Sequence, residues 1–182
     1  MFIALGANLD GASHDRDAAL PAAAEAVAKA ADAPVRISRL YRSPAFPAGS
    51  GPDYVNAVLA VDWPAPPEDI LAALHAIEAA FGRERQRRWG PRTLDLDLLA
   101  AAAAIRPGRE GWAAWAGLPL ERQKAEAPGE LILPHPRLQD RAFVLLPLAE
   151  ISPGWRHPVT GETVEAMLAA LPEPDVAALT PL

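Results

Sequence analysis

The run from Tyr54 to Trp63 constrains the fold of this chain more than any other segment, because it alternates residue by residue. Successive side chains on a strand point to opposite faces. Val55, Ala57, Leu59 and Val61 therefore line one apolar face, and Tyr54 and Asn56 share the other. Such a strand needs neighbouring strands and a layer that covers its apolar side.

The flanking sequence supplies both. Phe2 to Gly6 reads as a short buried strand ending at a glycine, with Asn8 just beyond it. Ser13 can cap a helix through the alanine-rich stretch to about Ala31, with Pro21 kinking or splitting it. Val35 to Arg42 alternates as a further strand, with Val35, Ile37, Arg39 and Tyr41 on one face, and Ser43 to Pro52 is a loop. Pro66 and Pro67 open a second helix, and Glu68 and Asp69 suit the positive end of its dipole. Ile70, Leu71, Leu74, Ile77 and Phe81 repeat at helical spacing until Gly82 stops it. A strand from about Arg92 to Leu99 follows, then helical stretches near Gln139 to Ile151 and Thr163 to Leu171. Strand, helix, strand, strand, helix, strand predicts an α+β domain with a mostly antiparallel sheet covered by helices.

A length of 182 residues suits one domain over 1–182. No run approaches the roughly 20 apolar residues of a membrane span, and the N-terminus lacks the basic start of a signal peptide. With no cysteine there is no disulfide framework and no thiolate site, so a cytoplasmic location is expected. The net charge of -6 disfavours a general nucleic-acid binder. Residues 106–130 stand apart: polar, broken by Pro and Gly, and carrying Trp112 and Trp115. The tryptophan spacing, with Leu118 beyond, suggests a short helix docked on the body, and a packed insertion without catalytic role is preferred to a lid.

Chemistry concentrates in one stretch. Arg83, Arg85, Arg87, Arg88 and Arg92 cluster in an otherwise acidic chain. They form either a solvated face or a patch for a compact polyanion such as a nucleotide phosphate. Trp89 with Gly90 and Pro91 makes this loop a plausible movable cover. Asp95 and Asp97 follow on a strand and share a face, while Leu94, Leu96 and Leu98 point into the core. Two adjacent carboxylates repel unless a cation lies between them, and Mg²⁺ takes one or two carboxylates plus substrate phosphates. Alone, the pair reads better as two solvated aspartates; the arginines tip it towards magnesium-bound ATP. His135, bracketed by prolines, and Arg141 complete the candidates.

These motifs resemble the 6-hydroxymethyl-7,8-dihydropterin pyrophosphokinase family of folate biosynthesis. The resemblance runs through Ala4-Leu-Gly-Ala-Asn-Leu, Ser38-Arg-Leu-Tyr-Arg-Ser-Pro, Asp53-Tyr-Val-Asn-Ala-Val and Ile77-Glu-Ala-Ala-Phe-Gly-Arg. It continues in Arg88-Trp-Gly-Pro-Arg-Thr-Leu-Asp-Leu-Asp-Leu, Leu133-Pro-His-Pro-Arg and Arg141-Ala-Phe-Val-Leu-Leu-Pro-Leu-Ala-Glu-Ile. It implies a ferredoxin-like α/β sandwich, and a monomer transferring pyrophosphate from ATP to the pterin's hydroxymethyl group. Asp95 and Asp97 would bind two Mg²⁺ ions, with Arg83 and Arg92 assisting transfer at the phosphates. Leu71, Glu78, Arg85, Trp89, Leu98, His135 and Arg141 would line the ATP site. Ser43, Pro44, Phe46, Tyr54, Asn56, Trp89 and Phe143 would form the pterin pocket. Ala7 stands where the family usually has serine, and the connection between Asp97 and His135 is longer than the family's.

Two rival readings share some of these features. A ferredoxin-like nucleic-acid module would stack bases on sheet aromatics, but the acidic balance and the aspartate pair oppose a phosphate backbone. A Mg²⁺-dependent phosphohydrolase would break down ATP without a pterin; no further Asp, Glu and His cluster supports it.

Overall fold

The computed structural model describes residues 1–8, 16–45, 51–82, 93–119, 122 and 125–182. Six strands form one sheet: β1 (Phe2–Ala7), β2 (Val35–Ile37), β3 (Tyr41–Ser43), β4 (Tyr54–Val61), β5 (Asp95–Ala100) and β6 (Thr180–Pro181). The order is β5-β1-β4-β3-β6, with β2 also on β4, and every pairing is antiparallel. Helices α1 (Arg16–Ala31) and α2 (Pro67–Ala80) connect the strands, so the expected ferredoxin-like order is present. The C-terminal part adds α3 (Arg109–Ala116), α4 (Ala142–Ile151), α5 (Val164–Ala169) and α6 (Glu173–Ala177).

The expected strand from Val35 to Arg42 is two short strands instead. At the break, Ser38 Oγ accepts from Val58 N at 3.1 Å while Ser38 N donates to Val58 O at 2.9 Å. A hydroxyl has replaced a backbone carbonyl in the ladder, which breaks the strand there. Helix α1 runs through Pro21 unbroken; Ser13 lies outside the described residues. Gly82, at φ 79°, ends α2 in the left-handed region that glycine tolerates.

Both sheet faces are covered. Ile3, Leu5, Val55, Leu59, Leu96 and Leu98 pack against Leu20, Val27, Ile70 and Leu74 on the α1–α2 side. On the opposite face Phe2, Val58 and Leu99 pack under Val144, Leu145 and Leu148 of α4, with Val164 and Met167 of α5 behind. No helix among the described residues is long and apolar enough to cross a membrane.

Candidate active site

The face under α4 carries a polar row. Gly6 pairs with Asn56 on one side and Asp95 on the other, and Asn56 pairs with Tyr41. Directly opposed residues of antiparallel strands point to the same face. Asp95, Gly6, Asn56 and Tyr41 therefore form one line across four strands. Strands lie about 4.8 Å apart, so the backbones of Asp95 and Asn56 stand about 10 Å from each other. Gly6 keeps the floor between them low; a methyl group there would sit 3.7 Å from Asn56 Oδ1.

Asn56 is buried, and its Nδ2 donates to Ser43 Oγ at 2.9 Å and more weakly to Tyr41 O at 3.4 Å. The amide is thereby fixed in orientation. Tyr54 pairs with Ser43 on the same face, and Pro44 is exposed just beyond. The structure thus brings Ser43, Tyr54 and Asn56 together at one end of the row.

Asp95 and Asp97 mark the other end. Both are half-buried and point away from the α1–α2 core, while Leu94, Leu96 and Leu98 are buried in it. Two strand residues apart, their backbones lie on the order of 7 Å from one another. Arg141, at the start of α4, approaches Asp97 Oδ2 to 3.6 Å, and its guanidinium stands 5.6 Å from the Phe143 ring. Phe143 is exposed beside them. Glu78 lies elsewhere: it is buried at the end of α2, and its Oε1 accepts from Leu96 N at 2.8 Å. It holds the backbone between the two aspartates and does not line the cleft described next.

That cleft has a volume of about 570 Å³ and is lined by Leu71, Asp97, Leu98, His135 and Arg141. These five candidates, scattered in sequence, share one wall. His135 Nδ1 accepts from Arg137 N at 3.1 Å, and His135 N donates to Leu99 O at 2.8 Å. Burial, then the charge of Arg141, lowers the imidazole pKa to about 4 against the opposing pull of Asp97. The ring is neutral, with its proton on Nε2. The two aspartates present hard oxygen donors on one face, with Asp97 in the cleft wall, a donor set of the chemistry that suits Mg²⁺; among the described residues no third His, Asp or Glu joins them in a metal-holding cluster.

Arg83, Arg85, Trp89, Arg92 and Phe46 lie outside the described residues, as does the arginine loop 83–92. The insertion supplies what sequence reasoning missed. Its helix α3 is present as expected, but Trp115, Glu126, Pro128, Gly129 and Glu130 also line the cleft. The tryptophan spacing pointed to a helix; nothing local pointed to what that helix would face.

Comparison with known proteins identifies the family and supports the fold. The family model described as 7,8-dihydro-6-hydroxymethylpterin-pyrophosphokinase matches residues 2–153. A 2-amino-4-hydroxy-6-hydroxymethyldihydropteridine pyrophosphokinase of Pseudomonas aeruginosa is 38% identical over 172 residues, covering 94% of this chain and 91% of the relative. One from Methylorubrum extorquens is 35% identical over 173 residues, covering 93% and 92%. One from Synechocystis is 41% identical over 129 residues, and there the match covers 71% of this chain and 55% of the relative. Among solved structures, a chain of Plasmodium falciparum HPPK-DHPS superposes with a TM-score of 0.58 at 12% identity. That match covers 92% of this chain and 42% of the other, and it supports the fold.

Proposed function

The chain belongs to the 7,8-dihydro-6-hydroxymethylpterin-pyrophosphokinase family, and from that membership we propose that it transfers the two terminal phosphates of ATP to 6-hydroxymethyl-7,8-dihydropterin. The family supports pyrophosphoryl transfer in folate biosynthesis as the general activity. The observation that carries the finer reading is the polar row, which has a fixed amide towards one end and paired carboxylates beside a cleft of about 570 Å³ at the other.

In this reading Asn56 reads the donor and acceptor edge of the pterin, with Ser43, Pro44 and Tyr54 beside it, Phe143 reaching in from the aspartate end, and Phe46 and Trp89 added by the family resemblance. Asp95 and Asp97 would hold two Mg²⁺ ions, which would supply charge neutralisation along the ATP phosphates. The hydroxymethyl oxygen bonds to the β-phosphorus and releases its proton to water, the bond from that phosphorus to the α–β bridging oxygen breaks, and AMP departs with the oxygen. His135 acts here as a donor: its Nδ1 is engaged by Arg137 and its Nε2 carries the proton. Arg141 offers charge at the phosphates, and Arg83 and Arg92 assist. The protein works in the cytoplasm on small molecules, as a monomer.

The product identifies the reaction. Chromatography of a mixture of protein, ATP, Mg²⁺ and the reduced pterin should show AMP and the pterin diphosphate. Pterin-dependent ADP with a monophosphorylated pterin would remove the pyrophosphokinase reading.

A further inference from the structure

The insertion is a built and anchored part of the molecule. Its stems are joined at Arg106 and Leu133: Arg106 N donates to Leu133 O at 2.9 Å and Leu133 N to Arg106 O at 3.2 Å. Helix α3 rises directly from the first stem. At Gly111, inside this helix, a Cβ would come within 2.6 Å of Pro107 Cγ. Glycine in a helix interior is unfavourable, so the close approach accounts for it.

Trp112 supplies the main anchor. It is buried, donates from Nε1 to Pro134 O at 2.8 Å, and packs on His157 at 5.1 Å between ring centroids. Pro134 immediately precedes His135 of the cleft. Arg109 fixes the start of α3 with bonds to Pro158 O at 3.0 Å and Val159 O at 3.2 Å. Trp115 follows Trp112 by almost one helical turn, so it leaves the same side of the helix. It is half-buried and lies in the cleft wall with Leu71 and Leu98.

We propose that Trp115 is a nucleotide-binding residue, whose indole provides an aromatic surface for the purine base while Asp97, His135 and Arg141 serve the phosphates. The inference rests on the reading that this cleft takes ATP. A flat heterocycle gains from an aromatic face, and the helix holding this one is pinned before any ligand arrives.

Calorimetric titration with a non-hydrolysable ATP analogue and Mg²⁺ tests it in wild type, Trp115→Ala and Trp115→Phe. Loss of a base-stacking surface should weaken the analogue on the order of tenfold in the alanine variant, with most affinity regained in phenylalanine. Inorganic tripolyphosphate, which has the charge and no base, should bind both variants as it binds wild type, and KM for the pterin should stay unchanged. Equal analogue affinity in Trp115→Ala and wild type would overturn the proposal while leaving the pyrophosphokinase reading intact. Parallel weakening of tripolyphosphate would also overturn it, since the residue would then act through general structure. A wild-type protein that binds no ATP analogue would overturn both.

Discussion

Asp95 and Asp97 illustrate how little a side chain's position on a strand costs the core. Both point away from the α1–α2 layer that buries Leu94, Leu96 and Leu98, so Asp95→Asn and Asp97→Asn should leave the melting temperature nearly unchanged. Each should still cut turnover by about a hundredfold or more at saturating Mg²⁺, because several kcal/mol of charge stabilisation depend on those ligands. Near-normal turnover in either variant would refute the metal assignment. In the proposed reading Asn56 serves the other substrate. Replacing it with Ala should weaken pterin binding by about 1–3 kcal/mol, through a buried partner left unpaired, and leave ATP affinity as it was. Calorimetry with each ligand alone separates the two, and an equal loss for ATP would contradict the division. His157 is a residue-scale case without chemistry. It is fully buried, its Nδ1 accepts from Val159 N at 3.3 Å and Thr160 N at 3.2 Å, and its Nε2 has no hydrogen-bond partner among the described residues. Burial lowers its pKa, only partly offset by Glu162. Below about pH 6.5 the unfolded chain therefore binds a proton that the native chain refuses, and stability must fall as pH drops. Denaturant melts at about pH 8 and pH 5 should show a shallower loss in His157→Asn than in wild type. Parallel losses would exonerate the histidine.

At the scale of elements, β5 depends on a carboxylate that never reaches the cleft. Glu78 bonds the N–H of Leu96 on the sheet's outer strand. Glu78→Ala leaves that donor without this acceptor and should cost about 1–3 kcal/mol in a denaturant melt, whereas Glu78→Gln keeps a carbonyl there and should cost less. Because Leu96 lies between Asp95 and Asp97, the alanine variant should also lose turnover; unchanged activity would confine Glu78 to stability. Most elements were legible beforehand, since strict alternation in β4 and helical spacing in α2 are local signals. The break between β2 and β3 was not: the sequence contains Ser38 but not the fact that its hydroxyl would meet Val58 N. The role of Glu78 was hidden likewise, because a polar residue at the end of a helix gives no sign that it will turn inward. That Asp95 and Asp97 share a face was readable from spacing, but the gathering of Leu71, His135 and Arg141 beside Asp97 depends on contacts between distant segments. The family resemblance implied that gathering before any spacing could.

Taken whole, the molecule packs helices on both faces of its sheet. Helices α4 and α5 seal the half over Phe2, Val58 and Leu99, and the polar row continues past them. Tyr41 OH and Arg39 Nε donate to Glu150 Oε1 at 2.5 Å and 2.6 Å, tying β3 to the far end of α4. The layer above the row is thus fastened at both ends, by this cluster and by the contact of Arg141 with Asp97. The paired stems at Arg106 and Leu133 have a further consequence. They make residues 107–132 a cassette, whose two ends sit side by side whatever runs between them. Closing a longer or shorter excursion changes the entropy of the chain only slowly with length. An engineer could therefore exchange the cassette at those two positions and reshape the cleft wall that Trp115 and Glu126 line, without cutting into the strands that carry the carboxylates.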